Sequence, residues 1–346
     1  MPALTTTEIF PLVPPKAPYV EGPKIKKPAR PSNEIPQFII DEARQTQRVP
    51  FDPAQHVTFE PPQKIVTMKE IGLEGHGISP NAVSDPFPLF SQDAIRQMRA
   101  ELFSEEVLEN CRFGTDLTPN LIRGLKPRQA PFCFSAWWSP EVLKIVSDIA
   151  GIELIPVYDL EVANVNISIN DQNIPTVGSG DELSSVGWHY DSYPFVCVTM
   201  ASDCTGMVGG ETAIQLPNGE IRKVRGPAMG TAVVMQGRYI RHQALKAFGG
   251  RERIAMVTSF RPKSPFVRDE STILNGIRPI SYDSELYTQY TEYRLEILEE
   301  RVRAKQKEER RREIEGRPYS IAQMRCFLQE QKEFLESMLE EITEPL

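Results

Sequence analysis

The stretch Gly187-Trp188-His189-Tyr190-Asp191-Ser192-Tyr193-Pro194-Phe195-Val196-Cys197-Val198-Thr199-Met200-Ala201 reveals most about this chain's fold. Aromatic and β-branched residues dominate it, so it reads as extended chain. Similar runs recur at 161–169, 211–216, 220–224, 231–235, 239–245 and 253–260. Turn signals separate them. Pro217-Asn218-Gly219 and Phe248-Gly249-Gly250 each read as the turn of a hairpin. Seven strand candidates in about 110 residues leave no room for helices between them. Many short, turn-linked strands indicate an antiparallel sandwich or barrel.

The same stretch carries chemistry. Side chains alternate faces along a strand, so His189 and Asp191 are expected to point the same way. An imidazole and a carboxylate on one face make two adjacent metal ligands. Only four histidines exist: His56, His76, His189 and His242. His242 lies downstream on the run at 239–245, after Gly237, and is the candidate third ligand. Two imidazoles and one carboxylate on one side of a metal leave open positions, which suits non-haem Fe(II) binding a cosubstrate and O2 together. An HxD triplet alone arises by chance in many chains, and a strand histidine is usually structural. The weight lies in the combination. His56 and His76 read as structural.

A cation follows. Arg253 opens the next strand candidate, across Gly249-Gly250. Its guanidinium can grip a carboxylate at two points. A dicarboxylic 2-oxoacid needs such an anchor when its oxoacid end chelates a metal. Arg251 shares the parity of Arg253, and Arg261 is a third choice.

Composition bounds the rest. The chain has 346 residues and a net charge of −8, which argues against a nucleic-acid partner. It lacks the apolar run of a membrane span and the opening of a signal peptide, so a cytoplasmic location is expected. Five scattered cysteines, with no CxxC pair, read as reduced thiols. Thirteen of thirty prolines fall in residues 1–62, which reads as an extended arm. Residues 63–265 would form the catalytic β domain with flanking helices. Those helices are expected over 91–109, capped by Ser91, and from Ser139-Pro140 to Ala150. Residues 266–346 would hold a C-terminal helical pair. Its second helix carries Ile321, Met324, Leu328, Leu335, Met338 and Ile342 in a heptad-like seam. That seam suits either packing on the body or a homodimer, and the arm is a second candidate dimer contact.

Residues 85–265 resemble the Fe(II)/2-oxoglutarate-dependent dioxygenases, which carry HxD, a distal His and a basic residue in this order. The likeness is closest to a fungal branch, in stretches such as 187–200, Gly209-Gly210-Glu211-Thr212 and 230–242. The resemblance implies a double-stranded β-helix (jelly-roll) core. It implies His189, Asp191 and His242 as iron ligands and Arg253 as the anchor of the 2-oxoglutarate C5 carboxylate. Many relatives carry Ser or Thr two residues after that Arg, where Ala255 stands here. Asn164 and Asn166, on one face of the preceding strand, are the candidates to replace its hydrogen bond, with Thr212 a weaker one. The implied reaction is oxidation of an unactivated C–H bond by hydroxylation, desaturation or rearrangement. Its substrate is expected to be a small molecule, such as a secondary metabolite. An iron oxidase of the same fold without 2-oxoglutarate and a non-catalytic partner subunit are the rival readings. The polar segment 171–186 is long enough for a lid or a hairpin connection. Trp188, Tyr190, Tyr193, Phe195, Arg238 and Tyr239 are near enough in sequence to line a pocket, though strand aromatics are mostly core.

Overall fold

The computed structural model describes residues 15–20, 34–114, 120–169, 184–224, 228–245, 247–248, 250–269 and 271–344. The protein is mainly β, with antiparallel sheets and flanking helices. Eight strands form its centre: β1 (Asn164–Ile169), β2 (Ser184–His189), β3 (Phe195–Met200), β4 (Thr212–Gln215), β5 (Ile221–Val224), β6 (Thr231–Met235), β7 (His242–Leu245) and β8 (Glu252–Pro262). The larger sheet runs β6-β3-β8-β1 at its middle. Asn81–Ser84 and Ile65–Thr67 extend it on one side, and Leu121–Ile122 and Arg112–Phe113 on the other. The smaller sheet runs β5-β4-β7-β2.

The stretch 187–201 is therefore two strands in two sheets rather than one. Pro194, which has no N–H to give a ladder, sits in the break. β4 and β5 form the expected hairpin, with Gly219 in the left-handed region at φ +86°.

Alternation along β8 sorts the interior. Ile254, Met256 and Phe260 join the main core with Val165, Ile167 and Cys197. Helices cover that face: α1 (Gln37–Gln45), α2 (Gln92–Leu102) and α3 (Pro140–Ala150). Ile39, Ile95, Met98, Val142 and Val146 are their contributions. Arg253, Ala255, Val257 and Ser259 face the other way, into a cavity also lined by the smaller sheet.

Helix starts follow local chemistry. Ser91 Oγ accepts from the Ala94 N–H and Ser139 Oγ from the Val142 N–H, while Gly151 ends α3 at φ +73°. The helix expected over 91–109 is two, because Ser104-Glu105-Glu106 starts a fresh one at Glu105–Asn110.

The Pro-rich stretch is not extended throughout. The proline-free interval between Pro36 and Pro50 forms α1, and Ile35, Ile39 and Ala43 are buried in the main core. Residues 15–20 lie against the body, where Arg238 donates to the Pro18 carbonyl (2.6 Å) and Asn275 to that of Val20 (2.9 Å).

The C-terminal pair is α4 (Asp283–Ile314) and α5 (Ile321–Glu341). Leu286, Tyr290, Tyr293 and Ile297 of α4 bury with Phe334 and Met338 of α5. Of the heptad-like seam, Met338 packs inward, but most of its residues do not form the packing face. The Arg294 guanidinium stacks 3.8 Å from the Phe334 ring and turns that residue inward, leaving Ile321, Leu328 and Leu335 exposed. No helix among the described residues is long and apolar enough to cross a membrane.

Candidate metal centre

His189 closes β2 and His242 opens β7, and the two residues are direct partners in the ladder. Their rings lie 4.3 Å apart. Each ring is set by the same device, a contact to the carbonyl two residues earlier. His189 Nδ1 lies 2.7 Å from the Gly187 oxygen, and His242 Nδ1 lies 2.9 Å from that of Ile240. A carbonyl only accepts, so Nδ1 donates on both rings and each Nε2 keeps its lone pair. Both Nε2 atoms stand 3.5 Å from Asp191 Oδ1. One ligand atom from each residue lies within 4.8 Å of the others. This His–Asp–His group resembles an iron-binding triad.

Asp191 reaches the group by a different route from the expected one. β2 ends at His189, so strand alternation does not aim the carboxylate. Instead the Asp191 N–H donates to the Gly237 carbonyl at 3.0 Å. The close approach requires glycine, since a Cβ at 237 would stand 1.7 Å from Asp191 Oδ2. Gly237→Ala is therefore expected to displace Asp191 and abolish stoichiometric Fe(II) binding in a folded protein, as metal analysis and circular dichroism will show. Burial opposes ionisation of Asp191, but His242 and His189 beside it hold the carboxyl well below the usual carboxylate range. Burial likewise works against a charged His242, and Asp191 outweighs it, raising His242 above the ordinary histidine value. Asp191 Oδ2 is buried without a partner. Two free Nε2 lone pairs and an unsatisfied carboxylate oxygen fit a divalent cation.

The triad opens on a cavity of about 220 Å³, far more than the roughly 30 Å³ share of one water molecule. Two guanidinium groups line it, Arg123 and Arg253. Arg123 is paired with Glu161. Arg253 is 4% exposed and donates through Nε to the Gly210 carbonyl at 3.3 Å, with no carboxylate within ion-pair distance among the described residues. Burial pulls its pKa down. The other two arginines are spent elsewhere. Arg251 pairs with Glu42 (2.5 Å) and stacks on Phe38, and Arg261 stacks on Tyr293.

Asn164 and Asn166 share the inward face of β1, opposite Val257 and Ala255 respectively, and both line the cavity, as does Thr212. Tyr190 and Tyr193 line it too. Phe195 lies in the main core and Tyr239 in a separate buried cluster, while Trp188 faces Arg241. Arg238 pins residue 18. His56 accepts the Asp52 N–H within its own turn. The segment read as a lid falls outside the described residues up to 183.

Sequence reasoning missed Arg123 and Glu161, which form a buried pair in the wall. It also missed Val20, Ile277 and Ile280, which line the cavity from segments distant in sequence. Nothing in local periodicity marks any of them.

No family model and no curated protein matches the chain. Similar solved structures include a 2OG-Fe(II) oxygenase family oxidoreductase from Burkholderia pseudomallei, at 16% identity over 43% of this chain and 64% of that one, with a TM-score of 0.31. The likeness thus spans just under two thirds of that protein. Another is a prolyl-4-hydroxylase from Pseudomonas putida, at 14% identity over 50% of this chain and 88% of that one, with a TM-score of 0.32. A third is HygX from Streptomyces hygroscopicus, solved with nickel and 2-oxoglutarate, at 15% identity over 53% and 83%, with a TM-score of 0.35.

Proposed function

We propose that this chain is an Fe(II)/2-oxoglutarate-dependent oxygenase that oxidises an unactivated C–H bond of a small organic molecule. The observation that carries the reading is Arg253, a buried guanidinium that lines the same cavity as the triad and has no carboxylate within ion-pair distance among the described residues. A guanidinium in that position is costly unless a ligand carboxylate meets it. Support for a double-stranded β-helix comes from the strand order. β1, β3, β6 and β8 fall in one sheet and β2, β4, β5 and β7 in the other.

His189, Asp191 and His242 would hold iron through two Nε2 atoms and one carboxylate oxygen. When bound, the iron with 2-oxoglutarate and O2 supplies the oxidant for C–H cleavage, and the cosubstrate leaves as succinate and carbon dioxide. Arg253 holds the far carboxylate of the cosubstrate. Ala255 offers no hydroxyl beside it, so Asn166, its partner across the ladder, supplies the polar contact. The valines at 186, 196, 198 and 257 exclude water from the reacting centre. The fungal branch that the sequence resembles supports a secondary metabolite as substrate.

A substrate screen scored by succinate release tests this. Succinate formed one for one with oxidised product is the expected result. Product without succinate establishes an oxidase of the same fold instead, and full biological function in a His189→Ala variant establishes a non-catalytic subunit.

A further inference from the structure

The cavity wall away from β2 and β7 holds a polar cluster that metal and cosubstrate leave unused. Glu161 is buried at its centre. Its Oε1 accepts from Arg123 and from the Tyr193 hydroxyl (2.9 Å). Its Oε2 accepts from Asn164 Nδ2 (3.0 Å) and from the Ser259 hydroxyl (3.4 Å). Tyr193 gives its proton to Glu161, so at 2.5 Å it is Tyr158 that donates to Tyr193. Every group around the carboxylate is a donor.

That fixes the Asn164 amide. Paired with Arg123, Glu161 accepts only, so the Asn164 NH2 must face it and Oδ1 must face away. Asn164 is 8% exposed, and its Oδ1 is buried with no hydrogen-bond partner. The cosubstrate cannot satisfy it, because 2-oxoglutarate at neutral pH presents only acceptors. The Asn164 Oδ1 is thereby left for a group other than the cosubstrate, while Asn164 and Asn166 both line the cavity side by side.

We infer that Asn164 is the specificity-determining acceptor of this site, and that the substrate is a neutral, largely apolar molecule presenting a hydroxyl or N–H to its Oδ1. The inference rests on the oxygenase reading and names its substrate class. Neutrality follows from the charges that line the cavity. Arg123 and Glu161 cancel, Asp191 belongs to the metal and Arg253 to the cosubstrate. The apolar body is matched by Leu121, Val186, Val196, Val257, Ile277 and Ile280. A site built to accept a hydrogen bond discriminates strongly against the analogue that lacks the donor, because its own buried group then goes unpaired.

The test is binding, measured by ligand-observed NMR on the full chain, with and without Zn(II) and 2-oxoglutarate. The probes are matched pairs: cyclohexanol and methoxycyclohexane, indole and 1-methylindole, and benzyl alcohol with its charged counterparts benzoate and benzylamine. The donor-bearing member is expected to bind about tenfold tighter than its methylated twin. In Asn164→Leu the preference should fall to within about twofold, while the methylated twins hold their affinity. Equal binding within pairs, tighter binding of the charged compounds to the protein loaded with Zn(II) and 2-oxoglutarate, or a preference that survives in Asn164→Leu each overturns the inference. Should that variant not fold, the structure of the wild-type chain with its best-bound alcohol decides. A hydroxyl at Asn164 Oδ1 supports the inference, and one placed elsewhere defeats it. Succinate is not measured, so a failed oxygenase reading and a failed substrate wall give separate results.

Discussion

Asp191→Ala is expected to remove Fe(II) binding and all succinate formation while leaving the metal-free protein folded. The loss should exceed the roughly 10–100-fold that removal of a mere outer partner of a metal ligand costs. Asp191 supplies the only negative charge in the triad, and both Nε2 atoms converge on its Oδ1 at 3.5 Å. Without it, two neutral imidazoles remain, a weak set for a hard divalent cation. The fold is expected to survive because Asp191 Oδ2 has no partner to lose. Its structural hold is the backbone bond to Gly237, which alanine keeps. Iron content per chain and thermal melting of the apo protein are the measurements. Full iron binding in the variant would show that the metal sits elsewhere.

The second large effect belongs to Arg253. Truncating one member of a buried charge pair costs about 2–5 kcal/mol, so Arg253→Met should raise the dissociation constant of 2-oxoglutarate by roughly 30-fold to several thousandfold. Anaerobic titration of the iron-loaded protein reads this directly. Iron content should not change, since Arg253 makes no contact with the triad among its hydrogen bonds and ion pairs. Arg253→Lys should recover little, because an ammonium is a point charge and cannot meet a carboxylate with two parallel bonds. Stability should move the other way. In the absence of cosubstrate, the wild-type chain buries a guanidinium with no carboxylate within ion-pair distance among the described residues, so Arg253→Met is expected to melt at or above the wild-type temperature. Unchanged affinity for 2-oxoglutarate in that variant would remove the strongest support for the proposed function.

These residues were legible because strand chemistry is local. Patterns of β-branched and aromatic residues between turn signals located most of the strands, and scarcity of histidine narrowed the metal candidates to His189 and His242. The break inside 187–201 was harder to read. Its residues favour extended chain on both sides of Pro194, and the switch from one sheet to the other depends on partners far away in sequence. For the same reason Asp191 seemed to be aimed by strand alternation, when Gly237 holds it. The Arg123–Glu161 pair was invisible because two ionisable residues dozens of positions apart carry no period. Arg251 and Arg253 could not be separated by parity. The structure separates them through Glu42 and Phe38 of α1, which take Arg251 outward. Within the Pro-rich stretch, α1 went unread because proline content was averaged over residues 1–62, whereas helix formation depends on the gap between Pro36 and Pro50.

The direct pairing of His189 with His242 has a consequence for how the chain folds. β2 and β7 are neighbours in the smaller sheet but are separated in sequence by four other strands of the centre. Contacts of such long range close late, because much of the chain must be ordered before they are rewarded. The ligand set therefore comes into being only when β2 and β7 pair. A metal that binds the closed form and not the open one slows reopening without speeding the early steps. Iron would then lengthen the lifetime of the native state more than it hastens folding.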